Sequence, residues 1–241
     1  MDTQEEIIPE IELSAINPAI EKRRFAMLMI AGIALPIILF PYLTNTLLFA
    51  VTNLTWYIFL SRLLIWLVLG CMYVYAQKGE MQNMLLWPEQ RYKALFYLKW
   101  LIILYLLNIA AGIIARVPFW LGLHENNAVV IKLYNVMKGN PILLVFGALT
   151  AGITEEFIFR GYILSRLSLL FSNKHAAVVT SAVIFAMAHL SYHTFREFIF
   201  TLGIGLIFGY HYQKYHNLTI IIAVHFLIDV VALGFFRHKY F

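Results

Sequence analysis

Two adjacent glutamates, Glu155 and Glu156, stand inside an apolar run from Pro141 to Leu164 that is long enough to cross a bilayer. A carboxylate at mid-membrane depth costs about 2.5–3.5 kcal/mol even on the lenient insertion scale. Two in succession therefore constrain the fold more than any other feature: their helix must face protein rather than lipid, and their charge needs partners. Arg160 lies one helical turn after Glu156, so that pair shares a face. Glu155 is rotated by about 100° from Glu156 and cannot share the geometry equally. One carboxylate is tied up and the other is left available.

The rest of the chain suits a membrane. It is 61% hydrophobic and 13% charged, with a mean hydropathy of +0.76, against about 45–50% apolar and about 25% charged for a soluble domain. The expected fold is all-α, a polytopic transmembrane helical bundle with its site inside. The net charge of +5 does not argue for nucleic acid, because basic residues of such proteins sit in loops and snorkel to headgroups. The single cysteine, Cys71, excludes an intrachain disulfide and is expected to be buried and inert. Residues 1–24 read as an acidic tail, with Asp2, Glu5, Glu6, Glu10, Glu12 and Glu21, the reverse of a cleavable signal peptide's basic start. Lys22-Arg23-Arg24, directly before the first span, places the N-terminus on the cytoplasmic side.

About seven spans are expected, with six to eight admissible. Span one covers residues 25–42, kinked or ended by Pro36 and Pro41. Residues 43–54 read as a loop or short interfacial segment; Asn53-Leu54-Thr55 matches a glycosylation acceptor, a match common by chance. Span two covers 55–76, with Arg62 read as snorkelling from its outer end. A polar connection follows to residue 95, then span three to residue 114. A longer loop, 116–140, includes an amphipathic surface helix at 128–137. The glutamate span, 141–164, leads into a basic loop with Arg166 and Lys174; spans five, six and seven cover 175–190, 198–212 and 218–236. Residues 25–140 thus form an N-terminal membrane part, 141–236 a catalytic-type core and 237–241 a basic tail. Seven spans put the C-terminus outside. There is no internal repeat and no second domain.

Two further spans carry ionisable groups at depth: Phe185-x-x-x-His189 and His225-x-x-x-Asp229, each pair one turn apart on one face. Taken singly, each has a plain structural reading. A lone intramembrane histidine often bonds a carbonyl, Glu156 with Arg160 reads as a structural ion pair, and Asp229 can serve to orient His225. Taken together, two Glu, two His and one Asp against one Arg are too costly for packing alone. Gly203, Gly205 and Gly209 lie within a span rather than between strand and helix, so they are no nucleotide loop; Gly205-x-x-x-Gly209 reads as a helix-packing face. His193, His211, His216 and His238 fall at expected membrane edges and read as solvated. No His-Glu-x-x-His motif occurs.

Glu155-Glu156-x-x-x-Arg160, Phe185-x-x-x-His189 and His225-x-x-x-Asp229 resemble, in order and approximate spacing, the three motifs of the CAAX protease and bacteriocin-processing (CPBP, or Abi) family of intramembrane proteases. The resemblance covers about residues 141–233. It implies peptide-bond hydrolysis within a helical bundle. The substrate is a prenylated C-terminal CAAX sequence in the eukaryotic branch and includes peptide precursors in bacterial branches, where some members confer bacteriocin immunity. Asp229, where the eukaryotic branch commonly has Asn, implies the bacterial branch and its cytoplasmic membrane. The implied catalytic set is Glu155 as general base, His189 positioning the water with it, His225 at the oxyanion and Asp229 orienting His225 or, if protonated, donating to the oxyanion as well; Glu156, Arg160 and Phe185 support the site. Glu155, His189, His225 and Asp229 are also an acceptable zinc shell, so a metalloprotease and a metal-free glutamate mechanism both stay open, the lack of a two-His pair on one helix favouring the second. The partners are a peptide or protein substrate at the membrane and the lipid bilayer; nothing sets an oligomeric state. A coupled transporter, which predicts inverted repeats, and a silent scaffold or immunity protein are the competing readings.

Overall fold

The computed structural model describes residues 18–235, with side chains for residues 21–234. The acidic and basic tails expected at the two ends lie largely or wholly outside the described residues. The described chain is all helical: α1 (Pro18–Leu47), α2 (Leu54–Lys78), α3 (Ala94–Ile114), α4 (Val117–Trp120), α5 (Ala128–Gly139), α6 (Pro141–Glu156), a π-helical turn (Phe157–Leu164), α7 (Ser165–Leu170), α8 (Lys174–Met187), a 3-10 turn (Leu190–Tyr192), α9 (Phe195–Tyr215) and α10 (Leu218–Phe235). Five stretches are long and apolar enough to cross a membrane, Glu21–Leu47, Leu54–Lys78, Ala94–Trp120, Pro141–Leu170 and Lys174–Tyr192; the apolar part of α10, Leu218–Gly234, is shorter. Five such spans and one shorter apolar helix are fewer than the seven spans expected, and α9 (Phe195–Tyr215) is not among them; the molecule is an integral membrane bundle.

Burial decides which helix is central. In the most apolar window of Pro141–Leu170, 61% of residues are buried, against 17–22% in the first three spans. Those three present Ile38, Leu63, Leu67, Ile102 and Leu106 outward, as lipid-facing helices must when the solvent is hydrocarbon. Their inner faces are narrow stripes at helical spacing: Ile65, Val68, Met72 and Ala76 on α2, and Leu104, Asn108 and Ala111 on α3. Cys71 falls off the α2 stripe and is exposed, so the expectation of a buried thiol is wrong. α9 is wedged between α3 and α8 through bare backbone. A Cβ on Gly203 would meet Ala111 Cβ at 3.0 Å, one on Gly205 would meet Ala182 Cβ at 2.8 Å, and one on Gly209 would meet Val178 Cγ1 at 2.9 Å. Gly205-x-x-x-Gly209 is the packing face its spacing suggests.

Several boundaries differ from expectation. α1 runs unbroken through Pro36 and Pro41 to Leu47, because in hydrocarbon an opened backbone strands more polar groups than a proline does. Asn53 is the α2 N-cap, its side chain accepting from Trp56 N at 3.2 Å. α9 spans 21 residues, longer at both ends than the 198–212 expected. The glutamate helix continues to Leu170, so Arg166 lies in α7 rather than in a loop.

Arg166 is fully buried. It donates through Nη2 to Glu80 Oε2 at 2.8 Å, through Nη1 to the Met84 carbonyl at 2.7 Å and through Nη2 to the Asn83 carbonyl at 2.8 Å. Tyr162 donates to the other oxygen of Glu80. This knot ties the connection after α2 to the end of the central helix. Removing one member of a buried pair strands the other at a cost of about 3–5 kcal/mol. Arg166→Leu is therefore expected to fold poorly and to melt far below wild type in detergent, with Arg166→Leu/Glu80→Leu closer to wild type; equal melting of the single variant would show the knot to be dispensable.

Candidate active site

The α6 sequence carries its two glutamates inward because the buried positions before them, from Gly147 to Thr154, are small. Gly147, Ala148, Ala151 and Gly152 are buried on the helix. A Cβ on Gly152 would sit 3.2 Å from the Ile222 carbonyl oxygen and 3.3 Å from Phe226 N. α6 and α10 thus approach backbone to backbone just before Glu155, which sets Glu156 against His225. Gly152→Val is expected to push the helices apart and to lower stability by about 1–3 kcal/mol, read as a lower melting temperature in detergent; an unchanged melting temperature would mean that α10 can shift freely.

Glu156 is closed off. Its Oε1 accepts from Arg160 Nη1 at 2.8 Å and from His225 Nδ1 at 2.7 Å, and none of the three side chains is more than 7% exposed. Arg160 also donates to the Ile204 carbonyl at 3.3 Å and lies over the Phe185 ring, 4.3 Å from its centre. Glu155 is open by contrast. Its Oε1 is 3.6 Å from Arg62 Nη1 and its Oε2 is 3.7 Å from His189 Nε2. Both gaps exceed a hydrogen bond, so neither oxygen is committed to a side chain.

The histidines are oriented from behind. His189 Nδ1 is 2.8 Å from the Phe185 carbonyl, which can only accept, so Nδ1 carries the proton and Nε2 faces Glu155. His225 Nδ1 donates to the Glu156 carboxylate, which leaves Nε2 toward Asp229, whose Oδ2 is 3.8 Å away. The side chain that bonds His225 is therefore Glu156, one helix away. Asp229, one turn along on the same helix, stands beyond hydrogen-bond range.

Glu155, His189, His225, Asp229 and Phe185 all line one cavity of about 410 Å³, together with Arg62, Tyr105, Tyr192 and Glu197. The three motifs thus meet at one place, with Glu156 and Arg160 packed behind it. Among the described residues no group of three or more His, Cys, Asp or Glu side chains is arranged to hold a metal ion. As they stand, the four motif side chains do not fit a zinc shell.

Two sequence readings are overturned. Arg62 does not snorkel to a membrane edge; its side chain is only 20% exposed and faces Glu155. His211 is not solvated: it is buried against Trp100 and Tyr215, with ring centres 4.7 and 4.8 Å away, and neither ring nitrogen has a hydrogen-bond partner. A lone arginine in an apolar span was the available sign for Arg62, but span position alone does not separate a snorkelling arginine from an inward one.

Residues 138–231 match the family model described as Type II CAAX prenyl endopeptidase Rce1-like. No curated protein and no solved structure matches the chain. The matched segment runs from the end of α5 to α10 and holds all three motifs, consistent with the CPBP resemblance. It indicates a protease embedded in the membrane.

Proposed function

We propose that this protein is an intramembrane endopeptidase that cleaves a peptide bond in a membrane-associated peptide or protein precursor, with Glu155 activating water. The observation that carries this reading is the contrast between the two glutamates, one locked between Arg160 and His225 and the other open to a cavity with His189 Nε2 3.7 Å away. A water between Glu155 and His189 gives its proton to the carboxylate as it attacks the substrate carbonyl. His225, anchored through Nδ1, presents Nε2 to the cavity; as an imidazolium it donates there to the oxyanion, and Asp229 helps to hold that charge. Arg160 and Glu156 keep the two helices in register.

Purified protein in liposomes tests this with a panel of prenylated CAAX peptides and unmodified peptide precursors, the products being identified by mass spectrometry. Wild type is expected to cut, and folded Glu155→Gln and His189→Ala are not. Equal cutting by all three would place the activity elsewhere, and no cutting by any would favour a silent scaffold or immunity protein.

A further inference from the structure

Arg62 belongs to none of the three motifs and sits on α2, outside the matched segment. Its Nη1 stops 3.6 Å from Glu155 Oε1, whereas Arg160 reaches Glu156 at 2.8 Å. Its Nε is buried without a hydrogen-bond partner, and the side chain lines the same cavity as Glu155 and His225. A structural cation would close on its carboxylate. An arginine held short of one, with a donor unsatisfied, is poised for a third group.

The charge balance of hydrolysis identifies that group. During attack a water O–H bond breaks and its proton passes to Glu155. The water oxygen bonds to the carbonyl carbon, and the C=O π pair moves onto oxygen. Negative charge leaves Glu155 and appears on the substrate oxygen in the same cavity. Arg62 loses its ion partner at the moment the oxyanion needs one, and its permanently charged fork needs no proton transfer to respond.

We propose that Arg62 is a catalytic residue that donates to the oxyanion beside His225; this rests on the proteolytic reading above. On collapse the C=O bond re-forms, the C–N bond breaks, and the proton on Glu155 goes to the leaving amine. The carboxylate and its open pairing with Arg62 are then restored. Anchoring a substrate carboxylate is the poorer role, because that carboxylate would sit beside the charge of Glu155, where the scissile carbonyl must lie.

The test is the rate of cleavage, by wild type, Arg62→Gln and Arg62→Lys in liposomes, of the peptide from the panel above that wild type cuts fastest, over a range of substrate concentrations, with melting in detergent as the folding control. Arg62→Gln is expected to lower kcat by about 10²–10³-fold at unchanged KM and near-wild-type melting, and Arg62→Lys to recover part of the loss. If wild type cuts and Arg62→Gln keeps its kcat, or changes KM alone, the oxyanion role is overturned and the protease stands. If wild type cuts no peptide of the panel, both fall together. Should Arg62→Gln fail to fold, Arg62→Lys decides: a wild-type kcat overturns the role, and a loss without a change in melting supports it.

Discussion

Glu155→Gln is expected to lower kcat by about 10²–10⁴-fold while leaving the fold intact. The amide keeps the size of the carboxylate but cannot take a proton from water. Loss of stability should be slight, because the nearest charged groups, Arg62 and His189, stand at 3.6 and 3.7 Å rather than at hydrogen-bond distance. Initial rates in liposomes and melting in detergent, measured on the same preparation, separate the two effects. A variant that melts like wild type but has lost turnover assigns the base to Glu155. A variant that retains its rate would move the base elsewhere in the cavity.

Arg160→Met is expected to have the opposite signature, a large loss of folded protein. Arg160 is 1% exposed, bonds Glu156 and the Ile204 carbonyl, and covers the Phe185 ring. Methionine replaces most of its apolar volume but leaves the buried Glu156 carboxylate with His225 as its remaining partner, at a cost of up to about 3–5 kcal/mol. Arg160→Met/Glu156→Gln removes both charges and should recover much of that loss. Glu156→Gln alone should also lower folded yield, since Arg160 is then left without its carboxylate. The measurement is yield and melting temperature across the four proteins. A single variant as stable as wild type, or a double variant worse than both singles, would show that the pair does not hold the helix in the way its distances suggest.

Much of the site was legible because membrane burial makes charge conspicuous. In an apolar chain Glu155, Glu156, Arg160, His189, His225 and Asp229 stand out one by one, and helical spacing puts each motif on a single face. The pairing of Glu156 with Arg160 is local, an i,i+4 contact that the sequence states outright, and it is found at 2.8 Å. Gly205 and Gly209 were legible for the same reason.

What failed were readings that depend on which way a helix is turned. Arg62 and Cys71 both lie on α2, and the two were assigned in reverse, one to the membrane edge and one to the interior. An all-apolar helix has little amphipathic contrast to mark its inner face, because lipid and core are chemically alike. His211 was misplaced for the same reason. Arg166 and Glu80 are 86 residues apart in sequence, and no local spacing foretells a contact of that kind.

The sequence by itself determined a helical membrane bundle, the helix that must be buried at its centre and the residues too costly to leave in lipid. The cost of charge in hydrocarbon and the period of the helix suffice for both. Tertiary structure alone decided how those residues are shared out. The close approach of α6 and α10 at Gly152 gives His225 to Glu156 rather than to Asp229, and the rotation of α2 gives Arg62 to Glu155. Those are contacts between helices, set by packing across the bundle, where sequence spacing carries no distance.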